Sequence, residues 1–266
     1  MVNPFPQAPG RWLALSILAV LCLVGAARAE VVGGGHSRVS FSGEIRPHVL
    51  PRQGEEPIAV RVAGRVEPVD DSRPPALHRF VVAFNHHAHL FTRGLPVCPR
   101  GRVASATSRR ALAACGPALV GTGHFSAHID IPEEAPFPSN GRALVFNSSL
   151  HGRPALLAHV YGSKPVPTAE VLLLAISHSS RPGFDVTLTA TMPEVGEGWG
   201  YVTGFDFTLR RIYSFRGRRR SLVSANCPAP PGFSRVPFQL ARGTFYLSDG
   251  SVRHRTLGAV CHVRRR

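Results

Sequence analysis

From residue 37 onward, apolar and polar side chains alternate in short runs, the period of a half-buried β-strand. Over Ser37–Ile45, Val39 and Phe41 oppose Ser40 and Ser42. Ile58, Val60 and Val62 fall on one face of the next run, 58–66. Residues 79–90 read as one strand, and 120–131 as another with Phe125, Ile129 and Ile131 on one side. Residues 142–150 and 155–161 read as a hairpin turned across His151-Gly152-Arg153-Pro154. Inside 170–178 the stretch Val171–Ile176 is continuously apolar, as expected of a strand covered on both faces. Runs at 184–192, 201–215, 220–225, 238–247 and 252–263 bring the set to about a dozen strands. Of these, 201–215 reads as one bent strand or as a pair. Glu30–Gly35 reads as a loose leader, and Pro68–Pro75 as a turn-rich connector.

The pattern predicts an all-β fold, a β-sandwich or jelly roll or else an open barrel. One short helix is expected near Cys115. Thr107 or Ser108 would cap the run Arg109–Ala114, and Gly116 stands at the C-terminal cap position. The segment 163–168 is the best boundary, dividing residues 30–165 from 166–266 unless both halves form one continuous domain.

The first 29 residues read as a secretory signal. Arg11 supplies positive charge, Trp12–Val24 is almost wholly apolar, and Ala27-Arg28-Ala29 fits a peptidase site before Glu30. The apolar run is shorter than the roughly 20 residues a membrane span needs, which disfavours a permanent anchor. Cys22 follows Leu21 rather than a small residue, which disfavours lipidation. No other spanning run follows.

Export changes the reading of the cysteines. Cys98, Cys115, Cys227 and Cys261 remain after cleavage, an even number expected to form disulfides. Three pairings are possible; Cys98–Cys115 and Cys227–Cys261 are favoured as the local ones. No C-x-x-C pair supports a zinc site.

The formal charge is +15, of which Arg11 and Arg28 contribute two, leaving +13 on the exported part. Lys164 is the single lysine, so arginine carries the rest. Such a bias also follows from a GC-rich genome. The charge is densest at Arg216, Arg218, Arg219 and Arg220 and at the terminal Arg264-Arg265-Arg266. These runs read as a solvated turn and tail, or as a patch for an anionic envelope polymer or polysaccharide. No nucleic-acid motif is present.

Catalytic patterns are sparse. On a strand, His87 and His89 share a face, as do His124 and His128. Four imidazoles would converge on a metal only if the two strands were neighbours, and solvated histidines are the simpler reading. There is no G-x-S-x-G elbow and no H-E-x-x-H. Glu133, Glu134, Glu194 and Glu197 lie beside Pro or Gly in expected turns. In Gly198-Trp199-Gly200-Tyr201, two aromatics between glycines suit stacking on a sugar, or simply a packed turn. Asn147-Ser148-Ser149 fits a glycosylation sequon.

Several strings occur together: Gly94-Leu95-Pro96-Val97-Cys98, Leu119-Val120-Gly121-Thr122-Gly123, Ala135-Pro136-Phe137-Pro138-Ser139, Leu150-His151-Gly152-Arg153-Pro154, Gly198-Trp199-Gly200-Tyr201-Val202-Thr203-Gly204 and Cys227-Pro228-Ala229-Pro230-Pro231-Gly232-Phe233. Together with Ala111-Leu112-Ala113-Ala114-Cys115, they resemble a family of uncharacterised secreted β-rich proteins of high-GC Gram-positive bacteria. The resemblance implies no activity, cofactor or catalytic residue. The expectation is a non-enzymatic exported protein that binds or scaffolds at the envelope. A hydrolase built from distant loops and a lipid or small-ligand carrier are the alternatives. Convergent Glu, Asp or His in a deep pocket would favour the first, an apolar interior cavity the second.

Overall fold

Burial follows the alternation strand by strand. In the computed structural model, which describes residues 30–34, 37–69, 75–132, 134–135, 137–162, 167–192 and 200–264, the strands are β1 (Glu30–Gly34), β2 (Ser37–Arg46), β3 (Val49–Leu50), β4 (Glu56–Pro57), β5 (Ala59–Pro68), β6 (Leu77–Asn85) and β7 (Ala88–Leu90). After helix α1 (Ser108–Cys115) come β8 (Leu119–Ile129), β9 (Phe137–Leu150), β10 (Arg153–Gly162), β11 (Thr168–His178), β12 (Phe184–Thr191) and β13 (Gly200–Leu209). The chain ends with β14 (Ile212–Phe215), β15 (Arg218–Ser221), β16 (Val223–Ala225), β17 (Arg235–Leu247) and β18 (Val252–Val263). The expected signal, Gly198 and Trp199 lie outside the described residues, as do Glu133, Glu194, Glu197, Arg265 and Arg266.

Thirteen strands form one sheet in the order β1-β2-β5-β13-β8-β9-β10-β11-β12-β6-β17-β18-β3. All pairs are antiparallel except β18 with β3. The sheet draws on both sides of segment 163–168, since β10 pairs with β11, β5 with β13 and β6 with β17. It curls until its margins meet. β3, which follows β2 in the chain, bonds to the end of β18. Further along, Arg255 Nε donates to the Val39 carbonyl at 3.4 Å. Phe41 and Phe245 meet edge to face at 5.5 Å inside the seam. The result is a nearly closed barrel.

Inward residues form the main core: Val60 and Val62 from β5, Phe80, Val82 and Phe84 from β6, Leu156 and Ala158 from β10, Leu188 and Ala190 from β12. Outward positions on β5, β13 and β8 carry Arg61, Asp206 and His124. No helix among the described residues is long and apolar enough to cross a membrane. A second core lies outside the barrel, where residues 98–118 fold back over β9, β10 and β11. There Val103, Ala111 and Ala118 pack on Leu144, Phe146, Leu157 and Val171. The continuous apolar run 171–176 thus serves both cores, Val171 outside and Leu174 inside.

The outer excursion is held by the Cys98–Cys115 disulfide, with Cα atoms 5.5 Å apart. Cys227 pairs with Cys261 at 5.7 Å. Thr107 caps α1, its Oγ1 accepting from the Arg110 N–H at 3.3 Å. Gly116 is right-handed rather than the left-handed stop, because Pro117 carries the chain on into a 3-10 turn. His151 and Gly152, both at positive φ (50° and 75°), make the two-residue turn between β9 and β10 that matches strand twist.

Two expectations are corrected. The leader 30–34 is an edge strand paired to β2, its alternation hidden by Gly33 and Gly34. The expected strand 79–90 breaks at His86-His87. There β7 leaves the barrel for a small sheet ordered β4-β16-β7, whose residues Ala88, Val223 and Ala225 cover one end of the interior. The large sheet carries about the dozen strands expected, and the short β4, β7 and β14–β16 form the small sheets.

Candidate functional site

About eight strands give a barrel that side chains just fill, and a wider one leaves room. Here the room is apolar and runs along the interior. One cavity, of about 30 Å³, is lined by residues including Val62, Phe80, Leu156, Ala158, Phe205 and Phe207. A second, of about 50 Å³, shares Phe80, Ala158, Phe205 and Phe207 with it and extends to Phe125, Met192, Val202 and Glu170. A third, of about 20 Å³, shares Phe84, Leu188 and Leu209 with the first and reaches His89, Leu90 and Val223 beneath the small sheet. Each exceeds the roughly 10–15 Å³ that one water needs on this measure. Apolar walls give water few partners, so such spaces stay dry and accept apolar guests.

The wall is built by aromatics lying over glycines. Phe205 pairs across the strands with Gly64, and a Cβ there would stand 2.7 Å from its ring. Phe125 lies over Gly141, where a Cβ would come within 2.3 Å. Phe205 stacks on Phe80 (5.2 Å between centroids) and on Phe207 (5.6 Å). A bulge between Val202 and Gly204 re-aims β13, so that Val202, Phe205 and Phe207 all line cavities.

Glu170 stands on the cavity side of β11 with Leu172. Burial raises its pKa, and Arg100 offsets only part of that. A carboxyl with a raised folded pKa holds its proton better folded than unfolded. It therefore costs stability as pH rises above the ordinary value of 4.5. Glu170→Gln is expected to raise the thermal midpoint at pH 7, with the gain vanishing near pH 4. A midpoint difference independent of pH would contradict this.

Each residue singled out in the sequence has a definite place. His87 Nδ1 lies 2.8 Å from Asn226 Oδ1, and burial lowers its pKa. His89 lies on β7 with Nε2 3.9 Å from Glu55. His124 and His128 are on β8, in the other sheet. The two pairs are not neighbours, because β9, β10, β11 and β12 stand between β8 and β6, the strand from which β7 departs. No cluster of three or more His, Cys, Asp or Glu with metal-site geometry occurs among the described residues. Tyr201 is buried, its hydroxyl 3.2 Å from His128 Nδ1, and offers no open ring face for a sugar. Asn147 is also buried. Its Nδ2 donates to the Leu95 and Pro96 carbonyls, so the sequon is closed in the fold. Glu134 is exposed. Arg216, Arg218, Arg219 and Arg220 are exposed on the β14–β15 hairpin. Arg264 pairs with Glu56 at 3.1 Å.

Two residues carry weight that no sequence signal marked. Glu170 looked like an ordinary strand residue, and only the curl of the sheet brings it to the cavity. His159 is fully buried beneath the outer excursion, its Nε2 2.7 Å from the Ala106 carbonyl. Burial lowers its pKa and keeps the ring neutral, so it pins the loop as an uncharged donor. On the exterior, hydrogen bonds from Arg61 at 2.9 and 3.2 Å hold the Asp206 carboxyl below its usual range.

The described linings hold one carboxylate, Glu170, and one imidazole, His89, at opposite ends of the interior. That arrangement can enclose an apolar molecule but does not converge acid–base groups on a reacting bond. The chain matches no protein-family profile, no curated protein and no solved structure.

Proposed function

We propose that this protein is an exported, non-enzymatic binding protein that carries a small apolar molecule inside its barrel. The observation supporting this most strongly is the run of overlapping cavities walled by Phe80, Phe205, Phe207 and aliphatic side chains. A preformed apolar pocket with few polar groups is the usual form of a small-molecule site. At about 20–50 Å³ each, the spaces are well below the roughly 150 Å³ that holds benzene, so a guest of one ring or a short hydrocarbon chain requires the two larger ones to merge by movement of the Phe205 and Phe207 rings that line both. The two disulfides are compatible with an oxidising, extracellular setting.

Ala158 lines both larger cavities, so a bigger side chain there fills space that already exists. Toluene and n-butylbenzene, titrated into methyl-labelled protein, are expected to give saturable shifts at Val62, Leu156, Leu174 and Leu188. Ala158→Leu is expected to weaken binding at least about tenfold, roughly 1.4 kcal/mol, while the thermal midpoint holds or rises. Absence of saturable interior shifts, or equal binding by the filled variant, would remove the carrier reading.

A further inference from the structure

The register sorts the loops between two ends of the barrel. At one end lie the β2–β3 connection, the small sheet, the β9–β10 turn and the segment joining β13 to β17. That last segment contains the β14–β15 hairpin, rooted between Leu209 and Val223, both of which line the cavity at this end. No Asp or Glu occurs between Asp206 and Asp249. The other described acids at this end are engaged elsewhere: Glu44 with Arg46, Glu55 with Ser224, Glu56 with Arg264, and Asp185 with His178.

The hairpin is braced. Arg216 and Gly217 make its two-residue turn at φ 51° and 72°, the twist-matched form. One face carries Tyr213, Phe215, Arg218 and Arg220, since Tyr213 pairs with Arg220 and Phe215 with Arg218. This face docks on the loop after β7. Tyr213 Oη donates to the carbonyls of Phe91 (3.0 Å) and Arg93 (2.9 Å). Phe215 sits so close to Gly94 that a Cβ there would come within 2.1 Å of its ring. Two of the arginines rest on rings, Arg220 over Phe91 at 5.2 Å and Arg216 over Phe215 at 5.3 Å. Stacking on a ring uses the flat face of a guanidinium and leaves its N–H edge free to donate. Among the described residues none of Arg216, Arg218, Arg219 and Arg220 forms an ion pair.

We infer that the β14–β15 hairpin is a docking site for a linear anionic polymer bearing repeated phosphate or carboxylate groups. Held guanidinium forks match such oxyanions in pairs and lose little freedom on binding. The docked face turns the hairpin's aromatics toward the body, leaving Ser214 and Arg219 on the other. An anionic bilayer would call for an outward apolar wedge, so a polymer fits better. Bound this way, the barrel would present the Glu170 end of its interior away from the polymer.

The test uses protein purified from an export-competent host and labelled inorganic polyphosphate, with polygalacturonate and phosphatidylglycerol vesicles in parallel. Fluorescence anisotropy should show saturable polyphosphate binding that weakens steeply as salt rises. Replacing Arg216, Arg218, Arg219 and Arg220 by Gln should weaken it at least about tenfold, since each oxyanion contact adds to affinity and to its salt slope. Replacing the exposed Arg38, Arg109, Arg110 and Arg142 by Gln removes equal charge and should cost less than about threefold, the share set by long-range field alone. The fourfold Arg→Lys hairpin keeps charge and fold, and should still lose affinity several-fold for want of the planar fork. A preference for polyphosphate or for polygalacturonate names the group recognised, and either supports the site. Equal losses in the two Gln variants, an Arg→Lys hairpin as tight as the parent, or binding to vesicles alone would overturn it.

Discussion

A Cys227→Ala/Cys261→Ala variant is expected to be about 4 kcal/mol less stable than the parent, from the chain entropy that the unfolded state regains when its loop is opened. The two cysteines are 34 residues apart, which places this loop above the 17-residue loop of Cys98–Cys115, expected to contribute about 3 kcal/mol. The bonds also differ in what they hold. Cys227 follows β16, its N–H donating to the Pro51 carbonyl at 2.9 Å, and Cys261 lies on β18 at the seam. Breaking that bond frees the small sheet from the strand that closes the barrel. Breaking Cys98–Cys115 frees an outer loop that Leu144, Phe146 and Leu157 still hold by packing. Guanidinium unfolding of the two double variants under identical conditions checks the order and the sizes. A loss below about 1 kcal/mol for Cys227/Cys261 would mean the unfolded chain gains little from its release.

What the sequence made legible is what neighbours in the chain decide. The helix cap, narrowed by residue type to Thr107 or Ser108, and the hairpin turn within His151–Pro154 are local events. So is the cysteine pairing, because each bond closes a short loop. The double burial of Val171–Ile176 was legible because the run had no polar interruption. The rest depends on contacts between distant residues. Nothing near His86 announces that the strand breaks and that β7 joins β16, more than a hundred residues later. Nor does anything local announce that four strands stand between β8 and β6, which keeps His87 and His89 from His124 and His128. Sandwich and barrel use the same alternation, so only the meeting of β18 with β2 and β3 decides between them. The interior cavities follow from that closure. So does the place of Glu170, which shares its strand pattern with residues that merely pack.

Phe205 is where the closure and the cavity can be tested together. Phe205→Ala is expected to destabilise by about 2–3 kcal/mol, below the range for a fully buried aromatic because the ring is only partly buried. Its ring has two stacking partners, Phe80 and Phe207, and covers Gly64 on the neighbouring strand. That last contact makes a specific demand. Gly64→Ala alone should be costly, since its Cβ would stand 2.7 Å from the Phe205 ring. In the Phe205→Ala background the atoms it would strike are gone. The double-mutant cycle should therefore show a coupling of at least about 1 kcal/mol, as for directly contacting residues. Strictly additive losses would mean that the ring does not lie over Gly64. Because Phe205 lines both larger cavities, its removal also joins them into one larger space. The Phe205→Ala protein should then shift its preference from toluene toward naphthalene, read by the same methyl titration. An unchanged order of preference would separate the fold from the function: the aromatic stack would hold the barrel without shaping its guest.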